Sequence, residues 1–361
     1  MKKKHYLLTP GPTPVPEEIA KTMAQPIIHH RTPEYKSIVK TVNENLKKIF
    51  KTENNVLTFT SSGTGAMEAS VVNALSKGDT AIVVRGGKFG ERFAEICVSY
   101  GVKVVSLDIE WGTQPENSLI EKALKENPDT RAVFTQLCET STATLYDVRS
   151  IASIVKKTGA ILVVDAISGL GADEFNMDEW GVDIAVGGSQ KAFMIPPGLS
   201  FCAVSKKAWN LIKQSSLPKY YHDFNKYERL MEKSDSPFTP AIALVIGLEK
   251  ALSMIIKKGV DKFIERHRRD AEFVRKRIRD LGLELFSKFP SDAVTAVKVP
   301  EEIDAAKLIS SLKSKGITFA GGQARLKGKI FRIAHMGGIT RTDLEFALGK
   351  LKETLGEQKW Q

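Results

Sequence analysis

Cysteine is scarce in this chain: Cys97, Cys138 and Cys202 are the only three among 361 residues. So few and so scattered, they exclude a disulfide framework and a structural zinc site built on paired cysteines. No apolar run approaches the length of a membrane span, and MKKKHYLLTPGP passes into proline and glycine before a signal-like apolar core develops. Internal repeats and low-complexity tracts are missing too. The expectation is a cytoplasmic protein without a membrane partner. An acidic excess is also lacking, since 53 Lys and Arg against 42 Asp and Glu leave a formal net charge of +11. Part of it is local, in Lys2, Lys3 and Lys4, in HRRD at 267–270 and in VRKRIRD at 274–280. No basic stripe interleaved with exposed aromatics accompanies these clusters. They read as a soluble surface that attracts small anions, with no nucleic-acid partner.

What is present is a strand–helix alternation. Apolar runs predict strands at 55–60, 79–84, 103–109, 131–137, 161–165 and 182–186, with helices near 34–50, 61–75, 89–99, 116–126 and 147–158 between them. Such alternation implies an α/β fold with a mostly parallel sheet. Two helical runs, 241–259 and 262–282, form the passage to a second region with strands near 294–299 and 330–334 and helices near 303–315 and 342–355. The expected division is an N-terminal arm over 1–15, a large domain over 16–255 and a small α+β domain over 256–361.

Three features carry chemistry. Lys191, in VDIAVGGSQKAFMIPPG, lies just past an apolar strand between two glycine-bearing loops, and Asp165 ends the preceding strand in ILVVDAISG. Neighbouring strand ends of an α/β sheet deliver such groups to one crevice. An amine held near a buried acid is suited to covalent chemistry on a carbonyl. Ser62-Gly63-Thr64-Gly65 occupies a strand-to-helix junction, where free backbone N–H groups favour phosphate. It lacks the spacing of the dinucleotide and nucleoside-triphosphate loops. Together the three ask for a flat, phosphorylated, carbonyl-bearing heterocycle. Pyridoxal 5'-phosphate meets each requirement, with Lys191 on its aldehyde and Asp165 on its pyridine nitrogen. Arg332, in the apolar strand KIFRIAHMGG, would be costly to leave unpaired, and its fork suits a carboxylate. Phe89, in RGGKFGERF, follows a strand end and can stack on a ring.

VVDAISGLGADEFNMDEWGVDIAVGGSQKAFMIPPGLSF, with SSGTGAMEA upstream and the opening LLTPGPTPVP, resembles the class V aminotransferases of fold type I. The branch it is most similar to holds the alanine–glyoxylate, serine–glyoxylate and serine–pyruvate enzymes. The resemblance runs from Leu8 through RIAHMGGITRTDLEFAL at 332–347. It implies a mostly parallel seven-stranded sheet in the large domain and a smaller C-terminal α+β domain. By the same resemblance Lys191 is the Schiff-base lysine and Asp165 the pyridine partner. Ser62, Gly63 and Thr64 hold the cofactor phosphate with Gln190 close by, and Thr140 reaches the phenolic-oxygen region. Thr239 of a second subunit reaches the phosphate, which implies a homodimer with shared sites, and Arg332 binds the substrate carboxylate.

The implied reaction is ping-pong transfer of an amino group, with Lys191 as tether, base and acid. Small residues near the site suit alanine or serine as donor and glyoxylate or pyruvate as acceptor. No evident second arginine motif favours aspartate or glutamate, although Arg325 and Arg341 have no place assigned by the sequence; 2-aminoethylphosphonate is a minor alternative. Two rival readings are a cysteine desulfurase or other lyase of the same fold, and a non-enzymatic binding protein. Against the desulfurase, Gln190 rather than histidine precedes Lys191, and Cys138 ends an apolar strand. His29, His30 and Arg31 form a polar cluster that either lines the site or ties segments together.

Overall fold

The computed structural model of the chain describes residues 5–358, so the Lys2–Lys4 cluster lies outside the described residues. Its central sheet has seven strands, numbered β1 (Val56–Phe59), β2 (Thr80–Arg85), β3 (Lys103–Asp108), β4 (Thr130–Gln136), β5 (Ile161–Asp165), β6 (Ile184–Gly188) and β7 (Ser200–Val204). Their spatial order is β1-β7-β6-β5-β4-β2-β3. β7 pairs antiparallel with both β1 and β6, while the pairs among β2 to β6 are parallel. Helices lie on both faces, so β5 and β6 are buried along their whole length, as their continuous apolar runs require.

The sequence reading placed six of these strands and missed β7. That strand follows the Pro196-Pro197-Gly198 turn, so the segment between β6 and β7 is a hairpin connection rather than a crossover. Ser189 closes its base: the Ser189 N–H donates to the Leu199 carbonyl at 3.0 Å and its hydroxyl to the Pro196 carbonyl at 2.8 Å. Lys191 therefore sits on a short, tied loop.

Helices that matter for the site are α1 (Gly63–Ala74) after β1, α2 (Lys88–Ser99) after β2, and the consecutive α3 (Ile242–Lys258) and α4 (Val260–Asp280). α2 buries Phe93, Ala94 and Cys97, one apolar stripe at helical spacing, against the sheet. Beyond α4, a second sheet of β8 (Val294–Lys298), β9 (Ala320–Gly321) and β10 (Ile330–Ala334) has β10 in the middle, antiparallel to both neighbours. Arg332 stands at its centre, opposite Ala296 and Ala320. The opening segment joins the two regions: Tyr6–Leu7 pairs parallel with Ile317–Thr318, and Thr13 hydrogen bonds to the Lys191 loop. Among the described residues no helix is long and apolar enough to cross a membrane.

Candidate active site

Sheet register brings the chemistry together. Gln136 of β4, Asp165 of β5 and Val186 of β6 lie side by side, so Asp165 ends its strand where the Lys191 loop begins. Phe89 follows β2, Thr140 follows β4 and Ser62–Thr64 follows β1, all at the carboxyl edge. In open α/β sheets this edge is where ligands bind.

Asp165 is 4% exposed and Lys191 8%. Burial, which penalises either charge, pushes the Asp165 carboxyl up to about 7 and the Lys191 amine down to about 8. The Ile167 N–H, 2.9 Å from Asp165 Oδ1, and the positive charges of Lys191 and Arg92 oppose the rise at Asp165. At Lys191, Cys138 and Asp165 partly restore the charged form. The Lys191 Nζ donates to the carbonyl of Pro10, in the opening segment. The pair therefore holds an amine that loses its proton readily beside a carboxyl that keeps or sheds one near neutrality.

At the head of α1, Ser62 takes the N-cap position without a side-chain cap bond, leaving hydroxyl and helix N–H groups for another acceptor. A Cβ on Gly63 would lie 2.5 Å from Ile167 Cδ1, and one on Gly188 3.1 Å from Ile167 Cγ2. Ile167 thus fills the floor between the two glycines. Gln190 Oε1 is buried without a hydrogen-bond partner. Thr140 Oγ1 donates to Ser168 Oγ at 2.6 Å.

Arg332 is 4% exposed, and burial pulls its guanidinium down to about 10. Its Nη1 donates to the Thr140 carbonyl at 2.9 Å, and Nε and Nη2 donate to the Gly321 carbonyl at 3.2 and 2.9 Å. No carboxylate among the described residues lies within ion-pair distance of it. Carbonyls orient this cation, and the nearby Glu139 charge favours its charged form without pairing directly with the fork, which suits an anionic ligand.

Two residues in contact with the predicted site residues escaped the sequence reading. Arg92, three residues after Phe89 on α2, donates to Thr64 Oγ1 at 3.1 Å and lies 4.8 Å over the Phe89 ring. Glu139 is fully buried and accepts from the N–H groups of Phe89, Gly90 and Ser141, each at 3.1 Å, and from Ser141 Oγ at 2.5 Å. A carboxylate thereby caps the start of α2 and fixes Phe89. Arg92 could have been found by its i, i+3 spacing from Phe89 on one helix face. Nothing local marks Glu139.

Thr239 is exposed, two residues before Ala241, whose N–H donates to Thr60 Oγ1 at 3.1 Å beside the Ser62 turn. Arg31 pairs with Asp235 at 2.5 Å, and the His29 and His30 rings lie tilted to one another with centroids 4.7 Å apart. Arg341 pairs with Asp270 at 2.9 Å, and Arg325 lies 3.9 Å over the Trp111 ring. Cys138 is buried, and burial holds its thiol well above the ordinary range.

The donor set fits pyridoxal 5'-phosphate: an amine for the aldehyde, a carboxyl for the pyridine nitrogen, uncapped helix N–H groups with hydroxyls for phosphate, and a half-buried aromatic ring. The family model described as Aminotransferase class-V matches residues 5–346. A relative named soluble hydrogenase, small subunit, from Synechococcus sp. is 40% identical, over 99% of this chain and 94% of its own length. The serine–glyoxylate aminotransferase of Hyphomicrobium methylovorum is 37% identical, over 95% of this chain and 87% of its own. Among solved structures, the aspartate aminotransferase of subgroup IV from Thermus thermophilus superposes with a TM-score of 0.92 at 32% identity, covering 98% of this chain and 99% of that one.

Proposed function

The chain belongs to the class V aminotransferase family, and from that membership we propose that it moves an amino group from a small amino acid, alanine or serine, to glyoxylate or pyruvate with pyridoxal 5'-phosphate as cofactor. The observation that carries this reading is the buried Lys191 beside Asp165 at adjoining strand ends, together with a buried Arg332 whose fork pairs with no carboxylate among the described residues.

Lys191 would hold the cofactor's aldehyde carbon and Asp165 its ring nitrogen. Ser62, Gly63, Thr64 and Gln190 would hold the phosphate, Phe89 would cover the ring, and Thr140 would lie on the phenolic side. Once bound, the cofactor supplies an electron sink and a carrier for the nitrogen. The chain's residues do the rest. Arg332, oriented by the Thr140 and Gly321 carbonyls, takes the carboxylate common to donor and acceptor. Lys191, whose burial lowers its amine toward neutrality in the cofactor-free chain, would accept the Cα proton once released and return it to the carbon on the far side of the transferred nitrogen. Asp165 holds the ring-nitrogen proton through both halves. Burial of all three keeps water from competing.

Two copies would complete each site, with the exposed Thr239 of one reaching the phosphate end of the other. The exposed Tyr220, 73% accessible and with its ring 5.7 Å from that of Phe238 next to Thr239, supports such a contact. A desulfurase is disfavoured because the Cys138 thiol is buried and its thiolate suppressed. Donor choice is tested by a half-reaction screen of single amino acids against the loaded protein, followed by single oxo acids against the aminated form. Alanine or serine should convert the cofactor fastest; faster conversion by aspartate or glutamate, or release of sulfide from cysteine, would contradict this assignment.

A further inference from the structure

Residues Leu8–Thr13 run from the second sheet to the catalytic loop. The Leu8 N–H donates to the Thr318 carbonyl and its carbonyl accepts from the Ala334 N–H, both at 2.9 Å, so the segment starts two residues from Arg332 on β10. At its far end the Thr13 N–H donates to the Gln190 carbonyl at 3.1 Å and Thr13 Oγ1 to the Lys191 carbonyl at 2.8 Å. Between these anchors the Pro10 carbonyl accepts from Lys191 Nζ. A Cβ on Gly11 would lie 2.6 Å from Lys191 Nζ and 2.8 Å from its Cδ and Cε, inside contact distance of the whole end of the side chain. Gly11 also has φ +122°, where side-chain-bearing residues are strained.

Resting on the cofactor reading above, we propose that Pro10 and Gly11 are positioning residues for Lys191. The Pro10 carbonyl sets the direction of the amine, and the missing Gly11 side chain leaves the space in which that amine turns. Attachment of the cofactor joins the lysine nitrogen to the aldehyde carbon as C=N and releases one water, so the nitrogen lone pair must face the aldehyde. An amine whose N–H points at Pro10 directs its lone pair away from the segment. A methyl group at position 11 would occupy the volume that the nitrogen sweeps. Because the same segment is bonded to β10, it also fixes the separation of Lys191 from the Arg332 strand.

The test uses full-length, cofactor-free protein and compares wild type with Gly11→Ala. Two probes separate the roles: the rate of pyridoxal 5'-phosphate uptake, read as growth of the visible band, and the Kd of pyridoxamine 5'-phosphate, which forms no bond to Lys191. Gly11→Ala should slow uptake tenfold or more and leave the pyridoxamine 5'-phosphate Kd within twofold of wild type. Unchanged uptake would overturn the proposal, as would equal losses in both probes, which would mark a general loosening of the site. Failure of wild type to take up pyridoxal 5'-phosphate would instead refute the cofactor reading and this proposal with it. Should Gly11→Ala not fold, hydrogen exchange at the Thr9, Gly11 and Thr13 amides in wild type decides. Pyridoxal 5'-phosphate should change that exchange where pyridoxamine 5'-phosphate does not, and identical responses would overturn the proposal.

Discussion

A buried lysine is costly to the cofactor-free chain while it carries charge, and the pH dependence of that cost is a direct readout of Lys191. Its amine sits near 8 in the folded chain against an ordinary 10.5, so between those values the unfolded chain binds more protons. Stability should rise with pH across that window. Lys191→Met should therefore stabilise the cofactor-free protein near pH 7 by on the order of 3 kcal/mol, a gain that fades as pH climbs from 8 toward 10.5. Urea melts at several pH values check this; a gain independent of pH would contradict the burial argument. At Arg332, the proposed role is to hold a ligand carboxylate. Arg332→Gln should raise the KM of donor and acceptor ~100-fold, about 2.7 kcal/mol, through loss of charge-assisted bonds. Steady-state kinetics would show it, and a fall in kcat alone would place the arginine elsewhere. Lys191, Asp165 and Arg332 were legible in the sequence because a charged residue inside or just past an apolar run is conspicuous. Arg92 and Glu139 have no such contrast with their neighbours: one is a polar residue on an amphipathic helix, the other sits among threonines and serine in CETSTA.

Elements were legible where their hydrophobic period was clean. β5 and β6 read as buried strands from composition, and their register then placed Asp165 beside the Lys191 loop. β7 was missed because its five residues follow two prolines and a glycine, and that signal reads as the end of structure rather than a hairpin return. The contact of the opening segment with Lys191 could not be read at all. It joins residues 181 positions apart and depends on a backbone carbonyl, which has no sequence signature. The cap on α2 belongs to the same scale. Glu139→Ala would orphan the N–H groups of Phe89 and Gly90 and should cost ~2–4 kcal/mol of stability, with Phe89 left less fixed. Chemical denaturation measures the first effect, and a weakened cofactor Kd beyond that of a surface Glu→Ala control measures the second.

At the scale of the molecule, the two sheets divide the proposed site: the larger carries Lys191, Asp165 and the Ser62–Thr64 turn, the smaller carries Arg332, and residues 8–13 tie one to the other. A shared site adds a second copy. If Thr239 acts across the interface, Lys191→Met and Thr239→Asp proteins should each be inactive as homodimers. Mixed after dissociation, they should regain about a quarter of wild-type activity, since random pairing restores one intact site in half of the dimers. No recovery, with mixed dimers verified by mass spectrometry, would place Thr239 in its own subunit's site or outside any site. The most direct measurement for the whole account is visible absorption of the purified protein loaded with pyridoxal 5'-phosphate. The band of the lysine-bound cofactor should appear, bleach on addition of alanine or serine, and return on addition of glyoxylate or pyruvate, and it should be absent in Lys191→Met. A band that forms without Lys191, or one that no amino acid bleaches, would contradict it.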